Sequence, residues 1–546
     1  MLARVAKAVA APARDFSEDP GYWEERFFRR LDALEFLPNS PALMNAGVLN
    51  GQLAACFVLP LRDNLDSIFG ALALAARIQQ TGGGTGFSFS QLRPAGDRVY
   101  STGGVSSGPL SFMELFNHAT TVIRSGGRRR GANMAVLRVD HPDIREFVNA
   151  KLDRNALENF NLSVGISDEF LRAVDAGDSF PLRNPRTRLP VATVDARALF
   201  DAMVQAAHVS GDPGLLFLDE INRHNPTPAL GAIEATNPCG EQPLLPYESC
   251  TLGSLNLAAF AGAEDVAWER MREAIHDAVV FLDNLIEASH YPAKEIEAAT
   301  RRTRKIGLGV MGLADLLAAL GIPYDSGQAV ALGERIAATL TSEARVKSIE
   351  LGERRGSFPA VAQSIWPAQG IRALRNATVT CVAPTGTLSL LAGCSSGIEP
   401  FFALASVRRS LDGRTLIEVN RAAVGALQAL GPAGQEAIKE IHERGSMREL
   451  AGIPEDVKRR FPIALELSPL DHVRMQAAFQ KHVDAAVSKT VNLPANASAQ
   501  DVRTVFDAAR RLKLKGVTVY RYGSKSNQAL SLVEDERVPD CRECAV

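Results

Sequence analysis

Short apolar runs and amphipathic stretches alternate along most of this sequence, and the alternation is its strongest constraint on the fold. Strand-like runs lie at 55–60, 135–139, 160–166, 215–218, 376–382 and 516–523, and helical patterns at 68–79, 111–124, 143–151, 168–175, 195–208 and 265–289. Strands that alternate with helices over such a length indicate an α/β fold with parallel strands. Residues 1–36 precede this region and have a helical pattern with one apolar stripe.

The charge and hydropathy of the chain exclude several classes of function. Its 546 residues have a net charge of −2 at pH 7, and 46% of them are hydrophobic. A balanced charge provides no basic field for a nucleic acid polymer, so any nucleotide ligand is expected to be a small molecule. No apolar run approaches the ~18 residues of a membrane span. The apolar stretch near the N-terminus is too short for a secretion signal, so the sequence predicts a cytoplasmic protein.

The segment Asn-Pro-Cys-Gly-Glu at residues 237–241 places an amide and a carboxylate on either side of a thiol. Its proline and glycine exclude a regular helix or strand, which predicts a tight loop that directs Asn237, Cys239 and Glu241 toward one point. A second thiol, Cys250, follows eleven positions later. The same pattern would also suit a surface turn with a buried structural thiol, because free cysteine packs as a small hydrophobe.

Two earlier segments have the composition of binding loops. Residues 37–47 contain two prolines and end in a glycine, so we expect no helix there and a free hydroxyl on Ser40. The run Thr-Gly-Gly-Gly-Thr-Gly at 81–86 permits close approach of a ligand or of another backbone, and a flexible turn is the alternative. Between these segments, Cys56 lies in the strand predicted at 55–60.

Three further segments suit phosphate or nucleotide ligands to different degrees. The arginine–glycine loop at 125–131 suits phosphates, although a solvated charge run is the alternative. The turn at 383–389 offers hydroxyls and backbone N–H groups between a strand and a helix, which predicts a phosphate site. The run Gly-Leu-Gly-Val-Met-Gly at 307–312 matches a dinucleotide fingerprint, but the five residues from Arg301 to Lys305 do not form the apolar strand that this motif requires.

Seven cysteines in a chain of this length do not indicate a disulfide scaffold. Cys541 and Cys544 form a Cys-x-x-Cys pair near the C-terminus, which indicates redox chemistry or metal binding. A zinc site normally requires four protein ligands, and no second pair stands beside these two in the sequence. Redox chemistry is therefore favoured, and no metal site is predicted.

Taken in order, these segments resemble those of ribonucleotide reductases, and most closely the adenosylcobalamin-dependent class II enzymes. The resemblance covers residues 37 to 530. It rests on Leu-Pro-Asn-Ser-Pro at 37–41, Cys56, Gly-Gly-Gly-Thr-Gly-Phe-Ser at 82–88, the arginine–glycine loop, Asn-Pro-Cys-Gly-Glu at 237–241, Pro-Thr-Gly-Thr at 384–387 and Val-Tyr-Arg-Tyr-Gly-Ser at 519–524. Each motif alone is weak, but their ordered combination is specific.

The resemblance implies a ten-stranded α/β barrel at 37–525, with Cys239 as the radical residue on a finger loop through its centre. A thiyl radical on Cys239 would take the 3′-hydrogen of the ribose, Glu241 would accept the 3′-OH proton as a general base, and Asn237 would hold the sugar hydroxyls. Cys56 and Cys250 would supply two electrons and become a disulfide. Cys381 and Cys394 are interpreted as buried packing residues.

By the same resemblance, a flexible tail at 526–546 would carry Cys541 and Cys544 inward to reduce that disulfide by thiol exchange. A thioredoxin-like protein would then reset the tail. The first 36 residues would form a helical segment with no ATP-binding module before the barrel. We therefore expect specificity control by dNTP or ATP effectors without a global on/off switch.

The resemblance also assigns binding residues, whereas the oligomeric state stays open. The expected substrate-binding residues are Ser40, Ala55, Gly84, Pro238, Gly240, Pro384, Thr385, Gly386, Thr387, Leu388 and Ser389. The expected effector-binding residues are Asp63, Arg93 and Arg128. The helices predicted at 68–79 and 111–124 could build a homodimer interface beside the effector region.

The radical source distinguishes the classes of ribonucleotide reductase. Class I catalytic subunits carry two adjacent tyrosines where this chain has Tyr520-Arg521-Tyr522, and class III enzymes carry a C-terminal glycyl-radical segment that this sequence lacks. Adenosylcobalamin is therefore the expected cofactor. The alternatives are a class I-type catalytic subunit that uses a separate metal-containing radical-generating subunit, and a non-catalytic regulator that binds nucleotide or zinc.

Overall fold

A computed structural model describes residues 1–100, 103–123, 131–153, 156–409, 415–524 and 530–532. Over these ranges the α-helices are α1 Leu2–Ala10, α2 Pro20–Asp32, α3 Ser40–Asn45, α4 Leu65–Gln80, α5 Gly108–Val122, α6 Ile144–Asn149, α7 Asp168–Ala176, α8 Ala196–Ser210, α9 Leu218–Arg223, α10 Trp268–Ala288, α11 Lys294–Thr303, α12 Leu313–Ala319, α13 Gly327–Arg355, α14 Gly386–Ala392, α15 Arg421–Gln428, α16 Pro432–Arg444, α17 Glu455–Arg460, α18 Pro469–Gln480 and α19 Ala499–Arg511. Of the helices in these ranges, none combines the length and the apolar composition needed to cross a membrane.

The strands in the described ranges form one large sheet and several small ones. They are β1 Phe36–Pro38, β2 Cys56–Leu59, β3 Gly84–Ser88, β4 Arg98–Val99, β5 Gly104–Val105, β6 Asn133–Arg138, β7 Phe160–Ile166, β8 Ser179–Arg183, β9 Pro190–Asp195, β10 Gly214–Phe217, β11 Ala235–Thr236, β12 Pro243–Leu244, β13 Ser249–Asn256, β14 Ile306–Met311, β15 Ala405–Arg409, β16 Thr415–Val419, β17 Thr490–Leu493, β18 Gly516–Arg521 and β19 Leu530–Leu532.

The large sheet has ten strands in the order β1-β13-β2-β3-β6-β7-β10-β18-β17, with β14 beside β13. Strands β2, β3, β6, β7 and β10 pair in parallel and form one half. The other half is antiparallel to it at both junctions, β2 with β13 and β10 with β18. Parallel bridges from Leu308 to Thr380 and from Val382 to Val487 connect β14 to the β17 side. The sheet therefore closes into a barrel, as the family resemblance led us to expect, but it is mixed and not wholly parallel as the α/β alternation indicated.

The hairpin β11–β12 runs through the centre of this barrel, and residues 237–242 form its tip. A Cβ atom on Gly86 of β3 would lie 1.7 Å from the Thr236 carbonyl oxygen, and one on Gly307 of β14 would lie 2.4 Å from Gln242 Nε2. On another side, the backbone N–H of Ala486 donates to the Glu241 carbonyl at 2.9 Å. Contacts with both halves of the wall place the hairpin in the interior.

Apolar side chains fill both faces of the barrel wall. Two large buried clusters lie between the outer wall and its helices, which include the N-terminal α1 and α2. A smaller cluster fills the interior beside the hairpin and includes three thiols, those of Cys56, Cys250 and Cys381. The interior thiols are therefore held by the wall itself. Cys381 is fully buried, as expected, whereas Cys394 is only partly buried.

Three sequence expectations differ from the observed backbone, and one is the strand expected at 376–382, where isolated bridges at Thr380 and Val382 form instead. Residues 40–45 form helix α3 although two prolines were expected to exclude a helix there, because Pro41 occupies the first turn, where its missing N–H costs nothing. The Asn39 side chain caps that helix by accepting from the Ala42 N–H at 2.9 Å. Much of the glycine run at 81–86 lies in strand β3, and the glycines at 307 and 309 lie in β14. The motif at 307–312 was correctly set aside, but its glycines serve close packing within a strand.

Candidate active site

The tip of the hairpin is a turn that holds itself together by backbone bonds. The Gly240 N–H donates to the Asn237 carbonyl at 3.1 Å, and the Gln242 N–H donates to the Asn237 side-chain oxygen at 3.0 Å. Gly240 has a φ of +83°, a left-handed conformation that glycine adopts without steric cost. The turn leaves Cys239 exposed at its apex, whereas Asn237 and Glu241 are buried.

The buried side chains of the turn converge on Cys56 of β2. The Asn237 amide donates to the Cys56 sulfur at 3.1 Å, and the Cys56 thiol donates to a Glu241 carboxylate oxygen at 3.9 Å. The sequence predicted that Asn237, Cys239 and Glu241 point to one place; Asn237 and Glu241 meet at Cys56, whereas Cys239 is exposed at the apex. The arrangement places an amide, a carboxylate and a thiol in mutual contact below Cys239.

Cys56 and Cys250 face each other across the antiparallel junction between β2 and β13. Directly opposed residues in such a pair have Cα atoms about 4.5–5.5 Å apart, a separation that a disulfide can bridge. Their exposed fractions are 3% and 0%. Burial raises the pKa of both thiols well above the ordinary value, and the Glu241 carboxylate raises that of Cys56 further. Both groups are therefore held as protonated thiols, able to donate hydrogen.

A buried ion pair lies beside Cys250. The Lys305 ammonium donates to a Glu248 carboxylate oxygen at 2.7 Å, and the Leu245 N–H donates to the same oxygen at 2.7 Å. The Cys250 thiol in turn donates to the Lys305 carbonyl at 3.4 Å. These contacts fix the backbone on both sides of the redox-capable thiol.

A cavity of about 120 Å³ lies on one side of Cys239 and reaches Cys56 and Glu241. Its wall includes most of the residues that the sequence predicted for substrate: Ser40, Ala55, Gly84, Pro238, Pro384, Thr385, Gly386, Thr387 and Leu388. Gly240 is not in that wall, and Ser389 lies behind it with its hydroxyl 2.9 Å from the Ser396 hydroxyl. Helix α14 begins at Gly386, so its first turn faces this cavity with exposed backbone donors.

A second cavity of about 500 Å³ lies on the other side of the loop and shares Pro238 and Cys239 with the first. Gly240 belongs to its wall. Side chains of neutral polar residues line it from β7, β17 and β18, among them Asn161, Ser163, Thr490, Asn492 and Thr518. Pro238, Cys239 and Pro384 line both cavities, and Cys239 is the one of these three with a reactive side chain.

Comparison with known proteins agrees with this geometry. The family model described as "Ribonucleotide reductase, barrel domain" matches residues 54–520, and "Ribonucleotide reductase, all-alpha domain" matches residues 1–51. The chain belongs to the ribonucleotide reductase large-chain family. The family and the barrel predicted from the sequence are thereby confirmed.

Individual relatives of this reductase chain carry informative names. It is 55% identical to the "Vitamin B12-dependent ribonucleoside-diphosphate reductase" of Mycobacterium tuberculosis (strain CDC 1551 / Oshkosh), over 97% of this chain and 77% of that relative. It is 48% identical to the protein of the same name from Thermoplasma acidophilum, over 94% of this chain and 66% of the relative. The solved Actinobacillus ureae class Id ribonucleotide reductase alpha subunit has the same fold, with a TM-score of 0.78 at 24% identity over 95% of this chain and 93% of that one.

The structure brings two of the three predicted effector residues of this reductase chain together. Arg93 donates to the Asp63 carboxylate from its side chain at 2.8 Å and from its backbone N–H at 3.1 Å. Arg128, Cys541 and Cys544 lie outside the described residues. The Asp63–Arg93 pair follows the ends of β2 and β3, away from the cavities beside Cys239.

Sequence reasoning missed two polar residues that line the cavities beside the finger loop. Asn161 donates from its side chain to the Pro238 carbonyl at 2.7 Å. Gln79, which lines the first cavity, donates to the Asn133 side chain at 2.8 Å. A polar side chain in the apolar run 160–166 was the available signal for Asn161, since a buried strand has little reason to carry an amide.

Proposed function

We propose that this chain reduces the 2′-carbon of ribonucleotides to give 2′-deoxyribonucleotides, with adenosylcobalamin as the source of the radical. The observation that carries this function is the pairing of Cys56 with Cys250 directly below a finger loop that presents Cys239, Asn237 and Glu241. Both the Mycobacterium and the Thermoplasma relatives are named vitamin B12-dependent, which favours this radical source over a separate metal-containing subunit.

The second cavity fits the nucleoside part of adenosylcobalamin. Its neutral amide and hydroxyl groups suit ribose hydroxyls, a purine and carboxamides, and it opens onto Cys239. Asn161, Asn492 and Thr518 are the side chains that would hold this group. The chemistry that adenosylcobalamin supplies when bound is homolysis of its cobalt–carbon bond, which provides the oxidant for the Cys239 thiol.

The protein residues then divide the reduction among them. Cys239 as a thiyl radical takes the 3′-hydrogen of the ribose, and Glu241 accepts the 3′-OH proton. Cys56, held as a thiol, protonates the 2′-hydroxyl, which leaves as water. Cys56 and Cys250 supply two electrons and become a disulfide, and the hydrogen atom on Cys239 returns to the 3′-carbon. The balance is one C–OH and two thiols converted into one C–H, one disulfide and one water.

We assign the substrate phosphates to the turn 384–388. The exposed backbone donors at the start of α14 and the adjacent hydroxyls of Ser40 and Thr387 provide hydrogen bonds for an anion. The Mycobacterium and Thermoplasma relatives are named for ribonucleoside diphosphates, so we assign diphosphates as the substrates of this chain. Parallel assays with the diphosphate and the triphosphate of one nucleoside test this assignment.

Cys541 and Cys544 are assigned as the dithiol that resets the Cys56–Cys250 disulfide, with a thioredoxin-like protein as the external reductant. The five cysteines of the described residues are free thiols, in keeping with a reducing compartment such as the cytoplasm. Replacing Cys541 and Cys544 by alanine should stop repeated turnover with thioredoxin and leave turnover with a small dithiol. Loss of both activities would contradict this role for the tail.

We assign nucleotide effectors to the region of Asp63 and Arg93, and a homodimer interface to α4 and α5. Leu65 and Phe69 lie one turn apart on α4 and are 62% and 50% exposed, which leaves an apolar patch for a second copy to cover. Phe69→Glu should reduce the molar mass measured by light scattering from that of a dimer to that of a monomer. An unchanged mass would place the interface elsewhere.

The deciding experiment is a reduction assay with purified chain, a ribonucleoside diphosphate, dithiothreitol and an effector, with and without adenosylcobalamin. Product that depends on adenosylcobalamin and requires no second subunit is expected, and Cys239→Ala should abolish it. Activity only after addition of a metal-containing subunit would favour the class I-type alternative. Bound zinc and a function that survives Cys239→Ala would favour the regulator.

A further inference from the structure

Asn161 is an exposed residue in an otherwise buried barrel strand. The other six residues of β7 are buried, whereas Asn161 faces the second cavity together with Met134, its neighbour on β6. Its cavity side is open to solvent, and its amide makes one contact with the finger loop. That contact is the hydrogen bond from its Nδ2 to the Pro238 carbonyl, 2.7 Å long.

This bond reaches the peptide unit that leads directly into Cys239. The Pro238 carbonyl and the Cys239 N–H belong to one rigid plane, so fixing the carbonyl fixes the position of the Cys239 Cα atom, from which the side chain leaves the backbone. The ring of Pro238 restricts its φ, so the Pro238–Cys239 peptide plane can turn mainly by rotation about the ψ of Pro238. The bond from Asn161 removes that freedom.

Other contacts hold the loop at different points. The bonds from Gly240 and Gln242 to Asn237 are internal to the turn and do not orient it in the barrel. Ala486, beside β17, holds the far end of the turn through the Glu241 carbonyl at 2.9 Å. Asn161 therefore orients the apex from the first half of the barrel, while Ala486 holds the other end from the second half.

We propose that Asn161 is a positioning residue that orients Cys239 between the substrate cavity and the cofactor cavity by holding the Pro238 carbonyl. This role rests on the function proposed above, because a single thiol must exchange hydrogen with groups in both cavities. A ligand in the second cavity would exclude water from the hydrogen bond between Asn161 and the Pro238 carbonyl and so strengthen it. A misplacement of about 1 Å at a reacting atom costs roughly 10²-fold in rate.

Two matched pairs of variants separate this role from a general effect on the cavity. Asn161→Asp keeps the shape of the side chain but, when ionised, has no donor for the Pro238 carbonyl. Asn492→Asp adds the same charge to the same cavity from β17, and among the described residues Asn492 makes no hydrogen bond to the finger loop. Asn161→Leu and Asn492→Leu form the uncharged pair. Thermal unfolding of all four variants monitors the fold.

The first measurement uses the chain without cofactor. Hydrogen exchange of the peptide covering 237–242 should become about three- to tenfold faster in Asn161→Asp and Asn161→Leu, the change that loss of one hydrogen bond corresponds to. Relative to wild type at the same pH, exchange in Asn161→Asp should recover on acidification, because a protonated carboxyl can donate to the carbonyl again. Neither Asn492 variant should change it. Wild-type exchange in both Asn161 variants, or equal acceleration in the Asn492 variants, would overturn this role.

The second measurement is steady-state reduction at saturating adenosylcobalamin. Asn161→Leu should lower kcat by about 10- to 100-fold with KM for the ribonucleotide within about twofold, because the wall of the substrate cavity is untouched. If the wild-type enzyme is active and Asn161→Leu has the same kcat, the positioning role of Asn161 is wrong, while the proposed function stands. If exchange of the loop is faster in the Asn161 variants but the wild-type chain reduces no ribonucleotide, the contact with Pro238 is supported and the proposed function is wrong.

Discussion

Replacing Gly86 by alanine tests whether the position of the finger loop controls the reaction. Gly86 lies in the middle of β3, and a Cβ atom there would lie 1.7 Å from the Thr236 carbonyl oxygen, whereas ordinary contact begins at about 3.4 Å. The carbonyl would have to move by roughly 1.7 Å, because β3 is paired with β2 on one side and β6 on the other and cannot shift itself. Thr236 directly precedes Asn237, so the displacement would carry the whole turn with it.

The size of this displacement sets the expected loss. A misplacement of about 1 Å costs roughly 10²-fold in rate, so we expect kcat of Gly86→Ala to fall by at least about 100-fold, which corresponds to about 3 kcal/mol of activation free energy. Overpacking of this kind also costs about 1–3 kcal/mol of folding stability. The variant should therefore fold, with a lowered Tm, and lose most of its turnover.

The assay is reduction of a ribonucleoside diphosphate with saturating adenosylcobalamin and dithiothreitol, beside thermal unfolding of the same samples. The control is Gly425→Ala on helix α15, where a Cβ would meet nothing within 4 Å. This control should keep wild-type kcat and gain about 0.5–1 kcal/mol of stability, since alanine is the better helix former. Wild-type kcat in Gly86→Ala would refute the dependence of turnover on the loop position.

Further predictions concern charge and stability. Arg304, Arg355 and Arg375 contact the buried Asp283 at 2.7–3.2 Å and hold the pKa of its carboxyl well below the ordinary value. Asp283→Ala should therefore lower the free energy of unfolding, measured in urea, by about 3–5 kcal/mol. The free energy of unfolding of this variant should also depend less on pH in acid, because the stabilisation from Asp283 is present above about pH 4 and is lost as the pH falls toward the folded pKa. Burial lowers the pKa of Lys515 to about 8, whereas the unfolded value is near 10.5. Because the unfolded chain then binds more protons between these values, the free energy of unfolding should rise by up to about 3 kcal/mol from pH 8 to 10.5, and Lys515→Met should remove that rise.

The α/β alternation was sufficient to predict an α/β fold, because the strand and helix periods differ clearly in the runs at 135–218, and the resemblance to the reductase family indicated the barrel. What the alternation could not supply was the antiparallel arrangement of the two halves. The pairings of β2 with β13 and of β10 with β18 join segments far apart in sequence. Nothing in the periodicity of either partner encodes such a pairing, and the sequence analysis expected parallel strands.

Glycine motifs illustrate a second limit of sequence reasoning. The glycines of β3 and β14 have the composition of a turn and of a nucleotide fingerprint, yet both sets lie in barrel strands. Their function is to leave space: Gly86 for the Thr236 carbonyl, and Gly309 for the Cys381 carbonyl, which a Cβ would approach to 2.4 Å. The group that occupies such a space comes from a distant part of the chain, so a local motif cannot identify it.

The sequence indicated the candidate catalytic thiols more readily than the residues around them. The motif at 237–241 and the order of the family segments indicated Cys56, Cys239 and Cys250 from the sequence alone. Asn161 belongs to no recognised motif, and its importance depends on a hydrogen bond formed across the interior of the barrel. A lone amide in an apolar strand was its only visible sign.

The most direct test is a single-turnover measurement that counts product and thiols together. A pre-reduced chain that carries Cys541→Ala and Cys544→Ala, mixed with adenosylcobalamin and a ribonucleoside diphosphate but no external reductant, should form a single deoxynucleotide per chain. Mass spectrometry should then find Cys56 and Cys250 joined as a disulfide, and the same chain with Cys239→Ala should form neither product nor disulfide. Product without that disulfide, or a disulfide formed in the Cys239→Ala chain, would contradict the account.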